Sequence, residues 1–219
     1  MIIAIDGPAG SGKTTTAQRV ARSLGFMHIN TGAMYRGIAL KFIREKINID
    51  NAVAIDKILN NTQLDFVGPY LGALCMDGED VSTEITSSLV TQNVSRISSI
   101  SEVRIKLVDC QRKMARGKNV VLEGRDIGTV VFPNADHKFF LIADIMVRAE
   151  RRRKDLEAAG EYMSIEEVIL YLKDRDNKDS SRQYSPLMKA EDAIEIDTTN
   201  LSIEEQVNCI VEIVNKTNK

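Results

Sequence analysis

The most specific chemical pattern in the sequence is the glycine-rich segment Gly7-Pro8-Ala9-Gly10-Ser11-Gly12-Lys13-Thr14. Its spacing fits the phosphate-binding P-loop, in which glycines let backbone N–H groups wrap an anion at the N-terminus of a helix. In such a loop the lysine reaches the β- and γ-phosphates, and the threonine hydroxyl ligates Mg²⁺. We therefore predict a nucleoside triphosphate site made by this segment and Thr15, with Lys13 as a catalytic residue and Thr14 as the metal ligand.

Positive charge is concentrated in the last third of the chain. Five basic residues occupy the seven positions from 148 to 154, and they are followed by Arg175 and Arg182. Phosphoryl transfer needs cations that neutralise the transferred group, and the planar guanidinium binds phosphate oxygens bidentately. A solvated helix face is the ordinary alternative. Beside a P-loop, however, the cluster favours a small kinase with a mobile lid, made by Arg148, Arg151, Arg152, Arg153 and Lys154.

Two further polar segments lie next to apolar runs. Glu123-Gly124-Arg125-Asp126-Ile127-Gly128 comes directly after Val120-Val121-Leu122, at a predicted strand end, where α/β sheets bind ligands. Asn30-Thr31-Gly32-Ala33-Met34-Tyr35-Arg36 lies between a predicted strand and a predicted helix, and Arg36 is placed to grip a second phosphate. The alternative interpretations are a charged surface turn for the first segment and a helix cap by Thr31 for the second.

The elements that must position these segments follow from the spacing of apolar residues. Strands are predicted at residues 2–6, 26–30, 119–123, 137–143 and 193–197. Helices are predicted at residues 12–24, 33–46, 83–98, 101–115, 147–159, 165–179 and 202–215. This alternation predicts an α/β fold with a P-loop NTPase-type parallel sheet flanked by helices. Between residues 62 and 80, short strands joined by glycine-containing turns predict a small inserted antiparallel lobe.

The composition limits the class of protein. With 219 residues, 43% hydrophobic and 27% charged, the chain can bury one sizeable core and differs from a disordered protein. A formal net charge of −2 excludes a generally basic nucleic-acid coat. Three widely spaced cysteines form no disulfide or zinc pattern, so we expect buried, reduced thiols. Without a membrane-length apolar run or a signal peptide, the sequence predicts a cytoplasmic protein.

Together these motifs resemble the bacterial cytidylate kinases, a family of P-loop nucleoside monophosphate kinases. The resemblance runs from Ile3 almost to the C-terminus and includes IDGPAGSGKTTTA, NTGAMYR, DGEDVSTEI, EGRDIGTVVFPNADHKFFL and RDNKDSSRQYSPL. It implies transfer of the γ-phosphoryl group of ATP to CMP or dCMP with Mg²⁺, by a monomer that binds neither nucleic-acid polymers nor membranes. It also implies one kinase unit with a core (about 1–61, 99–147 and 183–219), a lobe that binds the nucleoside monophosphate (NMP lobe, about 62–98) and a helical lid (about 148–182).

The resemblance implies how the base would be recognised. Thr31 and Asp126 would face the exocyclic amine and edge of cytosine, and Arg104 and Arg182 would complete the set. Cytosine carries a donor amine at C4 and an unprotonated N3, which a carboxylate acceptor and arginine donors complement. Uracil would instead oppose its carbonyl to the carboxylate and leave buried acceptors unpaired.

The remaining roles concern the phosphates and the ribose. Arg36 and Arg125 would hold the α-phosphate of CMP, while Arg175 and Asp179 would meet the ribose. Tyr35 would belong to the same substrate site. The lid arginines would close over ATP, and the candidate catalytic residues are therefore Lys13, Arg151, Arg152 and Arg175.

Two features depart from the family pattern, and two other functions stay open. Asn30 stands where relatives often carry an aspartate. The stretch Val94–Arg104 is shorter than in some relatives, so the serine that contacts ribose is not assigned among Ser95, Ser98 and Ser99. One alternative function is another P-loop small-molecule kinase, acting on UMP or a metabolite such as shikimate. The other is a non-catalytic nucleotide-binding module, which the intact Lys13 and Thr14 argue against.

Overall fold

The computed structural model describes residues 1–68 and 72–217. Its strands are β1 (Ile2–Asp6), β2 (Met27–Asn30), β3 (Leu64–Val67), β4 (Ala73–Met76), β5 (Glu79–Asp80), β6 (Val120–Gly124), β7 (His137–Ile142) and β8 (Ile194–Asp197). Its α-helices are α1 (Lys13–Leu24), α2 (Thr31–Arg44), α3 (Ala52–Asn61), α4 (Ser88–Ile97), α5 (Ser101–Ala115), α6 (Ile145–Ala158), α7 (Ile165–Ser180) and α8 (Ile203–Thr217). The main sheet is parallel, with the order β2-β6-β1-β7-β8.

This strand order brings three predicted ligand-binding segments together. Central β1 pairs with β6 on one side and β7 on the other, and β2 pairs with the far side of β6. In that register Asp6 lies opposite Gly124, and Asn30 lies opposite Glu123. Parallel strands end at one edge of a sheet, so the P-loop, the NTGAMYR segment and the EGRD segment leave the sheet side by side.

Helices cover both faces of the sheet, because successive side chains of a buried strand point to opposite faces. Ile3 and Ile5 belong to a core completed by α1 and α8. Ala4, between them, belongs to a larger core completed by α2, α3, α4 and α5. The α/β class and the flanked parallel sheet predicted from the sequence are confirmed.

The predicted small antiparallel lobe is also confirmed. β3, β4 and β5 form a separate antiparallel sheet in which Leu64 pairs with Met76. The sheet packs on α2 at Gly37, where an added Cβ would lie 2.9 Å from Leu74 Cδ2. Part of the first predicted turn of the lobe, residues 69–71, lies outside the described residues.

The helical lid is a pair of helices with an apolar cluster of its own. α6 and α7 pack together around Leu156, Val168 and Leu172. α7 begins with a capping box, in which the Ser164 hydroxyl and the Glu167 carboxylate each accept the other residue's backbone N–H.

Several details of the sequence prediction are wrong. Helix α3 was not predicted, and the predicted helix at 83–98 is a short 3₁₀ turn followed by α4, which begins only after the extended Ser87. α2 is capped by Asn30, whose side-chain oxygen accepts the Ala33 N–H, and not by Thr31. The cysteine thiols are unpaired but half-buried rather than buried. Among the described residues, every helix is too short or too polar to cross a bilayer.

Candidate active site

An open cleft of about 660 Å³ lies at the carboxyl edge of the sheet, between the P-loop, the end of β6, α4 and the lid. Among the described residues, nine basic side chains and four acidic ones line it. The basic residues are Lys13, Arg36, Arg104, Arg125, Arg151, Arg152, Lys154, Arg175 and Arg182. The acidic residues are Glu123, Asp126, Asp155 and Asp179. This excess of positive charge suits a ligand with several phosphates.

The P-loop wraps tightly because its glycines adopt conformations that other residues avoid. Gly7 has φ 148°, and a Cβ there would lie 2.1 Å from the Leu141 carbonyl oxygen. Lys13 Nζ folds back to donate to the Pro8 carbonyl at 2.6 Å and to Ser11 Oγ at 3.3 Å. Burial, and then the nearby Arg125, hold the pKa of Lys13 well below its ordinary value. An anion bound in the loop would counteract both influences and favour the charged form of Lys13.

Thr14 meets a partner to which sequence reasoning gave no role of its own. Its hydroxyl donates to Glu123 Oε2 at 2.7 Å, and the other carboxylate oxygen lies 3.3 Å from His28 Nε2. Glu123 is buried at the end of β6 and lines the cleft. The signal that could have found it is an acid at a strand end beside the P-loop threonine.

A magnesium ion fits this pair of oxygen ligands. In the described part of the chain, no group of three or more His, Cys, Asp or Glu side chains is arranged to hold a metal. Mg²⁺ does not need such a cage, because it keeps several waters and binds one or two protein oxygens together with substrate phosphates. Thr14 and Glu123 supply such oxygens beside the phosphate-binding loop.

The residues predicted to recognise the base converge on one wall of the cleft. Asp126 Oδ2 accepts from Arg104 NH2 at 2.5 Å, and both side chains are buried. The Arg104 guanidinium lies 5.2 Å from the centroid of the Tyr35 ring and also donates to the Ser98 carbonyl. Thr31 Oγ1 donates to the Glu123 carbonyl at 2.6 Å, which fixes it at the same wall.

Arg125 and Arg182 form a second ionic group around the buried Asp179. Asp179 Oδ2 lies 2.8 Å from Arg125 Nε, and its other oxygen accepts from Arg182. Burial by itself raises the pKa of Asp179, but the two guanidinium groups outweigh it and hold the pKa below its ordinary value. Arg182 also donates to Ser98 Oγ at 3.0 Å.

Arg36 and Arg175 lie near each other in the cleft. Arg36 NH1 donates to the Ile85 carbonyl at 3.0 Å and to Thr91 Oγ1 at 2.8 Å. Burial, and next the charge of Arg175, lower the pKa of Arg36 to about 10. The Arg175 side chain is held only weakly, because its one described hydrogen bond is donated to the Tyr171 hydroxyl on the same helix.

The lid arginines divide into two groups. Arg151 lines the cleft and donates to Thr198 through both terminal nitrogens, at 3.1 Å to the hydroxyl and 2.7 Å to the carbonyl. Arg152 also lines the cleft, and its buried Nε has no hydrogen-bond partner among the described residues. Arg153 instead pairs with Glu157 one turn along α6, at 3.6 Å.

Two further residues near the site were not predicted. The Asp6 carboxylate, at the end of β1, accepts the backbone N–H groups of Ile127 at 2.9 Å and Gly128 at 2.8 Å. Burial raises the pKa of Asp6 to about 6, although both N–H groups oppose the shift. Thr198, after β8, is completely buried and donates to the Ser11 carbonyl at 3.1 Å.

The candidate serines also separate. Ser95 and Ser98 line the cleft. Ser99 is exposed and donates to the Arg96 carbonyl of the preceding helix. The geometry therefore favours Ser95 and Ser98 as neighbours of a bound nucleoside.

A parallel sheet whose P-loop faces a lid and a second arginine-lined wall defines a P-loop kinase. Solved structures of low identity share the fold. A putative kinase from Chloroflexus aurantiacus J-10-fl has a TM-score of 0.50 at 15% identity, over 99% of this chain and 94% of its own. An uncharacterized protein from Eubacterium ventriosum ATCC 27560 has a TM-score of 0.51 at 14% identity, over 98% of each chain.

The sequence comparisons identify the family. The cytidylate kinase family model matches residues 3–216. A cytidylate kinase of Caldanaerobacter subterraneus subsp. tengcongensis is 48% identical over 99% of this chain and 96% of its own length. One of Fusobacterium nucleatum subsp. nucleatum is 47% identical over 99% of this chain and 98% of its own. The chain belongs to the cytidylate kinase family.

Proposed function

We propose that this protein transfers the γ-phosphoryl group of ATP to CMP or dCMP, giving ADP and CDP or dCDP. The observation that carries the proposal is the buried Asp126–Arg104 pair, 2.5 Å apart, on the wall of the cleft. A carboxylate and a guanidinium held side by side present an acceptor next to donors, which complements the amine and the N3–O2 edge of cytosine.

The base would be read by four residues. Asp126 accepts from the C4 amine, while Arg104 and Arg182 donate toward N3 and O2. Thr31 faces the same edge, and its hydroxyl, fixed by the Glu123 carbonyl, keeps its lone pairs available as acceptors. The Arg104 guanidinium lies over the Tyr35 ring, 5.2 Å from its centroid, and this contact restrains it.

The phosphates would be held by separate sets of cations. Arg36 and Arg125 bind the α-phosphate of CMP, Arg175 lies between that phosphate and the ribose, and Asp179 meets the ribose. Gly7, Pro8, Ala9, Gly10, Ser11, Gly12, Lys13, Thr14 and Thr15 form the ATP phosphate cradle. Arg151 and Arg152 neutralise charge on the ATP side.

Catalysis would consist of positioning and charge neutralisation. The attacking oxygen of CMP is already anionic, so the chain needs no general base. Lys13 and the lid arginines stabilise the charge that develops on the transferred group. Thr14 and Glu123 would hold Mg²⁺, which supplies neutralisation of the phosphate oxygens when bound.

The chain would work as one kinase unit with the core, NMP lobe and lid boundaries predicted above. We place it in the cytoplasm as a monomer. Light scattering coupled to gel filtration tests this, and a dimer that completes the cleft with partner residues contradicts it.

A coupled ADP-release assay across CMP, dCMP, UMP, AMP and shikimate tests the function. We expect rapid turnover with CMP or dCMP and at least a tenfold lower kcat/KM with UMP. Preference for UMP or shikimate would replace the proposal with the alternative small-molecule kinase. If the protein binds ATP but forms no ADP with any of these acceptors, it is a non-catalytic module.

A further inference from the structure

The P-loop residue Ala9 packs against both lid helices and is hydrogen-bonded to them. Its side chain belongs to the apolar cluster that joins α6 to α7, together with Ala149 and Leu172. Its backbone N–H donates to Asp176 Oδ1 at 3.2 Å, and its carbonyl accepts from Arg148 NH1 at 3.0 Å. Both backbone groups and the methyl group of this residue are therefore held by the lid.

The two lid residues are also bound to each other. Arg148 NH1 lies 2.5 Å from Asp176 Oδ2, and the Arg148 Nε donates to the Ala143 carbonyl at 3.2 Å. Only 11% of the Arg148 side chain and 19% of the Asp176 side chain are exposed. Water screens so enclosed an ion pair only weakly, so the attraction between the two side chains is strong. We call the group formed by Ala9, Arg148 and Asp176 the Ala9 clamp, and it connects the P-loop to both lid helices.

Gly10 lets the lid approach this closely. An added Cβ at Gly10 would lie 3.1 Å from both the Cβ and the carbonyl oxygen of Arg148. The first turn of α6 thus rests directly on the phosphate-binding loop. A side chain at this position would separate the two.

Asp176 lies on the same face of α7 as Asp179, one of the residues proposed to hold CMP. Leu172, four residues before Asp176, and Asp179, three residues after it, both line the cleft, as does Arg175, which directly precedes Asp176. Residues three and four apart lie on one face of a helix. α7 therefore contacts the ATP loop through Asp176 and the monophosphate wall through Asp179, one turn later.

We propose that Asp176, oriented by Arg148, is a positioning residue that couples the binding of ATP to the binding of the nucleoside monophosphate. When ATP orders the P-loop, the Ala9 clamp fixes the register of α7, and Arg175 and Asp179 are then held where the second nucleotide needs them. By linkage, bound monophosphate must raise the affinity for ATP by the same factor by which ATP raises the affinity for the monophosphate. The proposal rests on the function proposed above.

Calorimetric titration of CMP, with and without Mg²⁺ and β,γ-methylene-ATP, tests the clamp. In the native protein we expect the ATP analogue to tighten CMP binding by roughly fivefold or more, a typical allosteric coupling. In Asp176→Ala the ratio should fall to within twofold of one, while CMP alone binds within about threefold of the native affinity. Asp176→Asn keeps an acceptor for the Ala9 N–H but loses the charge facing Arg148, so we expect an intermediate ratio.

Asp174→Ala is the matched control, because Asp174 lies on the same helix, is exposed and pairs only with Lys178 among the described residues. It should keep the native ratio. Arg148→Ala combined with Asp176→Ala should lose no more coupling than Asp176→Ala alone. Thermal unfolding of each variant confirms folding before titration.

Native coupling retained in folded Asp176→Ala, or lost equally in Asp174→Ala, would overturn the inference. So would a ratio of one in the native protein that nevertheless binds CMP, and in that case the proposed function stands. If the native protein binds no CMP, the proposed function itself fails and this inference fails with it.

Discussion

Arg125 Nε lies 2.8 Å from Asp179 Oδ2, and this partly buried ion pair joins the loop after β6 to lid helix α7. The guanidinium proposed to hold the CMP phosphate is thus oriented by the carboxylate proposed to meet the ribose. Arg182 donates to the other oxygen of the same carboxylate. Asp179 is consequently engaged by two arginines, and its main effect is to orient them.

The first prediction follows from that arrangement. Asp179→Ala should lower kcat/KM for CMP and dCMP in parallel, because Arg125 and Arg182 lose their shared partner. Loss of a charge-assisted hydrogen bond costs roughly 1.5–3 kcal/mol, which corresponds to about a 10- to 150-fold decrease. Steady-state kinetics with both substrates measure it. A loss confined to CMP would show instead that Asp179 acts through the 2′-hydroxyl.

The second prediction concerns the choice of base. Asp126→Ala should lower kcat/KM for CMP by roughly 30- to 150-fold through the lost charge-assisted hydrogen bond and change UMP little, so the CMP/UMP preference should collapse. The carboxylate binds Arg104 rather than Arg125 in the structure, so Arg125 keeps its orientation in this variant. Exposed Asp109→Ala is the control. A parallel decline of CMP and UMP would remove Asp126 from base recognition.

The third prediction concerns the P-loop lysine. Lys13→Ala should lower kcat by roughly a thousandfold or more, because it removes a charge that acts during transfer. The Tm should not fall, since burial already disfavours the charged form of Lys13 in the folded protein. Exposed Lys216→Ala should behave as the native protein. Near-native turnover of the Lys13 variant would contradict the P-loop assignment.

The fourth prediction concerns the NMP lobe. Hydrogen exchange of residues 64–68 and 72–80 should slow with CMP and change little with an ATP analogue alone. The physical link is α2, which carries Arg36 and also binds the lobe through Arg44, whose guanidinium contacts Glu79 at 2.8 Å and Glu84 at 2.5 Å. Peptides from α8 serve as the internal control. Protection by the ATP analogue but not by CMP would contradict the proposed role of the lobe.

The fifth prediction is a pH dependence from Asp6. Its folded pKa of about 6 lies above the ordinary 3.8, so its contribution to stability is fully present below pH 3.8 and is lost as the pH rises through 6. Relative to Asp6→Asn, the native protein should lose about 2 kcal/mol of unfolding free energy between pH 4 and pH 7. Urea unfolding at several pH values measures the difference, and an equal slope in both proteins would refute it.

Most helices and strands could be predicted from local sequence patterns. The site could be predicted only in part, because its contacts join residues that are far apart in the sequence. The apolar run of β1 and the P-loop spacing each lie within a few residues, so both were predictable. Helix α3 was missed because only three of its side chains are buried, Ile55, Ile58 and Leu59.

The contacts that arrange the site could not be predicted from spacing. Arg125 and Asp179 are 54 positions apart, and Ala9 and Asp176 are 167 apart. A motif can name such residues separately, but only the fold decides which of them meet. The sequence singled out Asp126, but not its pairing with Arg104 in the structure, which arises because α5 carries that side chain to the end of β6.

The central place of β1 has a consequence for how the protein assembles. Ile2 pairs with Val120, and both strands beside β1 come from the second half of the chain, so β1 cannot pair until that half has been synthesised. β3 and β4, by contrast, are neighbours along the chain, and Val67 pairs with Ala73 only six positions later. Closing a long loop costs chain entropy before any pairing repays it, so local hairpins precede such a sheet. During synthesis the inserted lobe can therefore fold first, and the catalytic edge is completed only once β6 has emerged.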